Sequence, residues 1–289
     1  MIKTNIQITT ESLCDLPQQI YDQYNIHVIY NRIITEHGDF YDLKEITSSN
    51  LLEYLSNEKN KVTTTCPSVQ EYYDFFSREC MYSNKLLHIA TSSGISDSYT
   101  HAVKAAEDND NIYVFDSGQL SGGIGILVIL AAFATQNTNY IEDITSELEN
   151  YRERVASCSV INSMKYFQPD HFRKNISFRT FLMKILNHSF IHPVFHIAKG
   201  ALQMKGIYLG DIKKYSIKFL HKELCKKNNI DTRLLIITYA DCPYSVIKSL
   251  KNEILKYIEF EHILTAPMSA VTTSHCGSNT IAIFYITTN

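Results

Sequence analysis

Small hydroxyl-bearing residues follow a short apolar segment in the first third of the chain. Residues 86–90 are largely apolar and bounded by polar residues, which predicts a buried strand, and residues 91–94 (Thr-Ser-Ser-Gly) come directly after it. A helix is predicted to start near Ser96, an N-capping residue type. Ligands of open parallel sheets bind beyond the carboxyl ends of the strands, where hydroxyls, loop N–H groups and a helix N-terminus suit an anion. The segment therefore predicts an anion site; the alternative is a loop whose serines only cap the helix.

A second group of hydroxyls precedes another predicted helix. Residues 62–65 (Val-Thr-Thr-Thr) are followed by Ser68 and Glu71, whose spacing is that of a capping box. The threonines are thus held just ahead of a helix N-terminus. They are either a second anion-contacting loop or an edge strand rich in β-branched residues.

Strands and helices alternate over the first half of the chain. This order predicts a parallel α/β sheet, with strands over residues 6–9, 28–34, 86–90, 111–115 and 157–161. Asp15 is predicted to cap the first helix, with Pro17 in its first turn. His37 and Gly38 indicate a small hairpin after the second strand.

The pattern changes near residue 162. A helix is predicted over residues 178–187, Lys199 and Gly200 indicate a hairpin, and Asp211 is predicted to cap a long amphipathic helix. Strands follow over residues 234–238, 259–265 and 280–286, with a polar connection over residues 273–279 before the last one. The hairpin favours a mixed or antiparallel sheet. We therefore predict an α/β protein of two domains, residues 1–161 and 162–289.

Length and composition exclude several function classes. A chain of 289 residues with 45% hydrophobic and 20% charged residues is typical of a globular protein with two domains or one large one. Its net charge of -3 provides no basic surface for non-specific nucleic-acid binding. Seven scattered cysteines without a CxxC pair, and a strand that begins near residue 5, predict a cytoplasmic protein without a signal peptide. The most apolar run, residues 124–134, is shorter than the ~20 residues that span a bilayer.

Five segments resemble, in order, the motifs of the DegV family. They are residues 8–17 (ITTESLCDLP, family TDSxxDLP), 64–68 (TTCPS, family TSQPS), 92–99 (SSGISDSY, family SSxLSGTY), 116–125 (DSGQLSGGIG, family DS…SxGxG) and 275–277 (HCG, family HxGPG). Each motif alone has low specificity. The ordered set extends over most of the chain, and on that basis the chain resembles this family.

The resemblance implies a cytoplasmic protein that is not itself an enzyme and that holds one long-chain fatty acid in an apolar tunnel between two domains. It implies that the acyl carboxylate is presented to a partner kinase related to dihydroxyacetone kinases, which makes acyl phosphate for phospholipid synthesis. Carried over by position, the carboxylate ligands are Thr64, Ser93 and His275. The supporting loop residues are Thr65, Ser92, Gly94, Asp116, Ser117 and Gly277, and the contacts to phosphate or partner are Arg173, His192 and Lys205. No metal or other cofactor and no transmembrane segment is implied, and contact with a membrane surface is at most transient.

The chain departs from the family pattern where the family carries basic residues. The Gly-Gly-Arg segment is here residues 170–173 (DHFR), the lysine of the IKP segment is His192, and the Arg-Gly pair is Lys205 followed by Gly206. The last motif is altered at Asn279, which tolerates the left-handed backbone that glycine would have used. The carboxylate ligands are kept while the cations are fewer, so the sequence favours lipid binding over productive coupling to a kinase.

Nucleophilic catalysis is the alternative function. Ser93, His275 and Asp116 have the residue types of a hydrolase triad, but no G-x-S-x-G elbow surrounds the serine. Cys66 and Cys276 lie in the same segments, either as reactive thiols or as small apolar fillers. A purely structural role is the third class, and it predicts no bound lipid after purification.

A zinc site is a further candidate. His188, His192 and His196 would align on one face of a helix, but Pro193 argues against a helix there. On a strand, residues four apart are roughly 13 Å from each other and cannot share one ion. Histidines of the core or surface are therefore predicted.

Overall fold

The structure, a computed structural model, describes residues 4–162, 191–211 and 229–288, together with residues 217, 220, 221 and 223–225. The helix predicted over residues 178–187 lies outside the described residues. Of the helix predicted to follow Asp211, the described residues between 217 and 225 are helical.

Four parallel strands form the first sheet. In sheet order they are β2 (His27–Ile29), β1 (Thr4–Glu11), β6 (Ser83–Ala90) and β7 (Ile112–Asp116), flanked by α1 (Gln18–Gln23), α3 (Val69–Glu79) and α4 (Ser98–Ala106). The second half of β6 is buried throughout, as its apolar sequence predicts. Because the strands are parallel, the polar residues that follow β1, β6 and β7 lie at one edge of the sheet.

A small antiparallel sheet packs beside the first. It consists of β4 (Gly38–Tyr41), β3 (Arg32–Thr35) in the middle and β5 (Thr63–Thr65), with α2 (Ser48–Ser56) between β4 and β5 in the chain. The predicted hairpin at Gly38 is confirmed, and the threonines form an edge strand. The single strand predicted over residues 28–34 is wrong, because the chain there divides into β2 and β3 in different sheets. The capping box that starts α3 is confirmed.

Six strands form the second sheet, which is mixed as predicted. In sheet order they are β10 (Ala201–Leu209), β9 (Ile191–Ala198), β8 (Val155–Val160), β13 (Thr280–Thr287), β11 (Ile230–Ala240) and β12 (His262–Pro267), with α7 (Tyr244–Leu255) and α8 (Ala270–Cys276). Its one parallel pair among the described strands is β11 with β12. The prediction that residues 157–161 complete the first sheet is wrong, since β8 pairs antiparallel with β13 and β9. The chain therefore passes to the second sheet before Val155.

The helix α5 (Gly122–Ala134) lies between the two sheets, and α6 (Ile141–Arg152) follows it. One apolar cluster joins Leu127 of α5 to Phe115 of the first sheet and to Phe284 of the second. A helix buried on both sides is expected to be apolar all round, as α5 is. Within the described residues, no helix has both the length and the apolar character needed to cross a membrane.

Gly122 allows the close approach of α5 to the second sheet. A Cβ atom there would lie 2.6 Å from Cδ2 of Phe284 and 2.8 Å from Cγ2 of Ile236. Gly122→Ala is therefore expected to lower the free energy of unfolding by about 1–3 kcal/mol, because the added methyl group forces α5 away from the sheet. Urea unfolding measures this change. Gly206→Ala is the matched control, since its Cβ would meet no atom within 4 Å, and equal free energies for the two variants would contradict the prediction.

The start of α1 differs from the prediction. Pro17 is the N-cap residue, and Asp15 has a left-handed backbone with φ of 48°. Its carboxylate is buried and accepts hydrogen bonds from Ser121 and Ser269 instead of capping α1. The N-cap prediction for Asp15 is therefore wrong, and the carboxylate serves a contact between distant segments.

Candidate functional site

Thr64 and His275 lie within hydrogen-bonding distance, although 211 residues separate them in the chain. Thr64 Oγ1 and His275 Nε2 are 3.0 Å apart. Thr64 is the middle residue of β5 and pairs with Ile33 of β3. His275 is near the end of α8, and both side chains are half-buried. The structure thus brings together two of the three predicted carboxylate ligands.

The helix that carries His275 lies on the N-terminal half of the protein. The sequence predicted only a polar connection here. The Ala270 N–H donates to Asp42 Oδ1 at 2.8 Å, and the Ser269 N–H donates to Asp15 Oδ1 at 2.7 Å. Both carboxylates are buried, and burial raises the pKa of Asp15 to about 8 and that of Asp42 to about 6, although their hydrogen-bond donors act in the opposite direction.

The third predicted ligand, Ser93, contacts Asp116 at the end of β7. The Ser93 N–H donates to Asp116 Oδ1 at 3.2 Å, and the Ser93 hydroxyl donates to Oδ2 at 2.5 Å. Asp116 Oδ1 also accepts the Gly118 N–H at 3.0 Å. Ser93 itself is exposed. The described contacts therefore join the predicted residues in two pairs, Thr64 with His275 and Ser93 with Asp116.

The hairpin turn between β9 and β10 lies against the serine loop. The Ser92 hydroxyl donates to the Gly200 carbonyl oxygen at 2.6 Å. A Cβ atom at Gly94 would lie 2.5 Å from the same oxygen, so the close approach requires glycine at this position. The turn has a left-handed backbone at both Lys199 and Gly200. This contact holds the second sheet against residues 91–94.

A buried carboxylate, Glu11, lies beneath the serine loop beside His88. Glu11 accepts the Thr91 N–H at 3.1 Å and the Thr91 hydroxyl at 2.7 Å, and His88 Nε2 lies 3.7 Å from Glu11 Oε1. Burial opposes ionisation of Glu11, but hydrogen bonding and charge interaction with His88, together with the Thr91 bonds, lower its pKa below the ordinary value. A charged carboxylate therefore fixes the backbone just before Ser92.

The contacts do not form a hydrolase triad. In such a triad the imidazole lies between the serine hydroxyl and the carboxylate. Here Ser93 donates directly to Asp116, whereas His275 contacts Thr64. Burial raises the pKa of Cys66 to about 11 and that of Cys276 to about 12, which favours small fillers over reactive thiols.

The predicted supporting residues form hydrogen bonds within their own loops. Thr65 and Ser117 donate their hydroxyls to carbonyl groups one and two residues further on, at 3.1 and 3.3 Å. Gly277 has φ of 73° and donates its N–H to the last turn of α8. Asn279 has φ of 58°, which confirms the predicted left-handed backbone.

The predicted contacts for phosphate or partner are largely engaged within the protein. His192 is 1% exposed, with Nδ1 3.1 Å from the Asn162 carbonyl oxygen and Nε2 2.8 Å from that of Gly210. This places His192 inside the protein, which corrects its assignment to a docking surface. Lys205 forms an ion pair with Glu223, and Arg173 lies outside the described residues.

No metal centre is found in the part of the chain that the structure describes, where no three His, Cys, Asp or Glu side chains are grouped to hold an ion. His192 and His196 lie on β9, an extended strand, as Pro193 indicated. His188 is outside the described residues.

Related sequences match this chain over nearly its full length. A sequence model of the DegV family, described as uncharacterised proteins, matches residues 5–288. A DegV domain-containing protein of Clostridium perfringens is 22% identical over 284 residues, which cover 97% of this chain and 98% of the relative. A DegV domain-containing protein of Staphylococcus aureus is 24% identical over 285 residues, which cover 96% of each chain.

Solved structures share the fold over nearly the full length. A DegV family protein from Thermus thermophilus, described for its fatty acid binding, has a TM-score of 0.85 at 21% identity, over 98% of this chain and 99% of that chain. A DegV family protein from Eubacterium eligens loaded with heptadecanoic acid has a TM-score of 0.82 at 14% identity, over 98% and 99%. These likenesses show the fold, with a parallel sheet in the N-terminal part and a mixed sheet in the C-terminal part.

Proposed function

The chain belongs to the DegV family, and on that premise we propose that it binds one long-chain fatty acid in an apolar tunnel between its two domains. Thr64, Ser93 and His275 hold the carboxylate in this proposal, and the protein acts as a non-catalytic carrier in the cytoplasm. The contact between Thr64 and His275 is the observation that carries the proposal. It joins a hydroxyl and an imidazole across 211 residues, and relatives of the same fold are described as binding fatty acids.

The chemistry of the three side chains suits a carboxylate. A carboxylate accepts hydrogen bonds only, and a hydroxyl, an imidazole N–H and loop N–H groups supply donors without an arginine. A carboxylate that leaves water without such donors loses several kcal/mol. Asp116 now accepts from Ser93, so the Ser93 hydroxyl must rotate toward the ligand when it binds.

The acyl chain supplies the driving force. Burial of a chain of ~16 carbons at ~0.8 kcal/mol per methylene gives on the order of 12 kcal/mol before the costs of association and ordering. The carboxylate contacts then contribute orientation and selectivity for an acid over a neutral lipid. The acid group lies at the edge of the first sheet in this arrangement, near the surface of the protein.

A further part of the proposal is presentation of the bound carboxylate to a partner kinase related to dihydroxyacetone kinases, with acyl phosphate as the product. Family resemblance supports it. The buried His192 and the paired Lys205 count against a cationic docking surface like that of the family pattern. Acyl phosphate formation with a purified kinase of that class, compared with and without this protein, tests this part separately.

Native mass spectrometry of the protein purified from a bacterial host tests lipid binding directly. We expect a mass excess of one fatty acid, released on denaturation and recovered as free acid by lipid extraction. A protein that is purified without lipid and takes up none after incubation with hexadecanoate would overturn the proposal. Ester hydrolysis would be the next activity to measure in that case.

A further inference from the structure

The helix α8 comes from the C-terminal end of the chain but is bound by the N-terminal half. Its first turn donates the Ala270 N–H to Asp42, and the preceding residue donates its N–H to Asp15. Ser48 donates its hydroxyl to the Met268 carbonyl oxygen and accepts the Thr273 hydroxyl at 3.1 Å. Polar contacts to three N-terminal segments thus fix this short helix.

Apolar contacts join the same surfaces. Ala270 and Val271 of α8 belong to a buried cluster with Leu13, Ile33 and Leu51 of the N-terminal half. The helix therefore has both a polar and an apolar attachment to the small sheet and α2.

Asp42 occupies a particular place in this attachment. It directly follows β4, and the register of the small sheet pairs Ile33 of β3 with both Phe40 of β4 and Thr64 of β5. Asp42 and Thr64 are therefore held by one sheet. The other oxygen of Asp42 accepts the Ser12 hydroxyl at 2.8 Å, which fixes the orientation of the carboxylate.

We propose that Asp42 is a positioning residue for His275: by holding the first turn of α8 on the small sheet, it sets the imidazole beside Thr64. Ala270 and His275 lie five residues apart on one helix, roughly 7–8 Å along the axis, so a shift of the first turn is transmitted to the imidazole. The inference rests on the proposed binding of a fatty acid. It adds a residue that does not touch the ligand but determines how well the ligand carboxylate is bound.

The test compares an acid with the matching alcohol. Dissociation constants are measured for hexadecanoate and hexadecan-1-ol on delipidated protein, by displacement of a fluorescent fatty acid. We expect Asp42→Ala to weaken the affinity for hexadecanoate about tenfold, which is the size of one lost hydrogen bond. The affinity for hexadecan-1-ol should stay unchanged. Asp42→Asn keeps an oxygen that accepts the Ala270 N–H and is expected to stay within about twofold of the wild type.

A double-mutant cycle shows whether Asp42 acts through His275. In a His275→Ala background, Asp42→Ala should change the affinity for hexadecanoate less than about twofold, because the group that it positions is already gone. Glu79→Ala is the matched control, since Glu79 is also a buried carboxylate of the N-terminal half but pairs with His27. It should alter the affinity for neither probe.

Several results would overturn the inference. If Asp42→Ala weakens the affinity for the acid and for the alcohol equally, Asp42 has a general structural role. If the losses of affinity from Asp42→Ala and His275→Ala are additive, Asp42 does not act through the imidazole. If Asp42→Ala fails to fold, Ser48→Ala removes a second attachment of α8, and unchanged acid affinity there would overturn the inference as well. Wild-type protein that binds neither probe would overturn the proposed function itself, whereas wild-type binding with no effect of Asp42→Ala or Ser48→Ala would overturn this inference alone.

Discussion

His275→Ala, and Thr64→Val combined with Ser93→Ala, should abolish the retention of fatty acid while the protein stays folded. A hydrogen bond to a charged group contributes ~1.5–3 kcal/mol; His275→Ala removes one such bond, and Thr64→Val with Ser93→Ala removes two. The expected weakening of binding is therefore on the order of tenfold to a hundredfold for His275→Ala and a hundredfold or more for the double change. Thr64 and His275 are half-buried and Ser93 is exposed, so their removal leaves no large cavity in the core.

Lipid content and folding are measured on the same samples. Native mass spectrometry gives the fraction of protein that carries lipid, and thermal unfolding reports the fold. Thr63→Val and His37→Ala remove the same chemical groups at exposed positions outside the pair, and both should retain lipid like the wild type. Full retention of fatty acid by the site variants would contradict the assignment of the carboxylate ligands.

Asp15→Asn is expected to stabilise the protein at alkaline pH. Burial raises the pKa of Asp15 from its ordinary value of 3.8 to about 8 in the folded protein. A raised folded-state pKa of an acid means that stability is fully present below pH 3.8 and is lost as the pH rises to about 8. At ~1.4 kcal/mol per pKa unit the loss of stability is on the order of 6 kcal/mol.

The amide of asparagine has nearly the shape of the carboxyl group and does not titrate. Its oxygen can accept the Ser269 N–H and its NH₂ can donate to Ser121, and asparagine tolerates the left-handed backbone at this position. Urea unfolding at intervals from pH 6 to pH 9, above the pKa of Asp42, should show a decline for the wild type that Asp15→Asn lacks. Asp74→Asn, on an exposed residue of α3, should follow the wild type. Parallel curves for the wild type and Asp15→Asn would contradict the prediction.

The parts of the fold that depend on local sequence could be predicted. The capping box at Ser68, the hairpin turns at Gly38 and Gly200, and the left-handed Asn279 follow from residue types within a few positions. The parallel first sheet follows from the alternation of strands and helices. The sheet membership of β8 does not, because an apolar strand after a helix has the same pattern in either sheet.

The candidate site was predicted in part. The motif resemblance pointed to Thr64, Ser93 and His275, and the structure pairs the first with the last. The helix α8 was missed because its Ser and Thr residues indicate a loop, while its stability comes from carboxylates more than 200 residues away. Nothing in the local sequence of Asp42 signals that contact.

The attachment of α8 has a consequence for synthesis on the ribosome. Asp42 is made 228 residues before its partner Ala270, a delay of roughly 10–50 s at ~5–20 residues per second. During that time the N-terminal half lacks Ala270 and Val271 for its apolar cluster and lacks N–H donors for two carboxylates. Thr64 likewise lacks its hydrogen-bond partner until His275 has been made. Under the proposed function, uptake of a fatty acid would then require synthesis up to residue 275, and a chain truncated before that residue would stay unloaded.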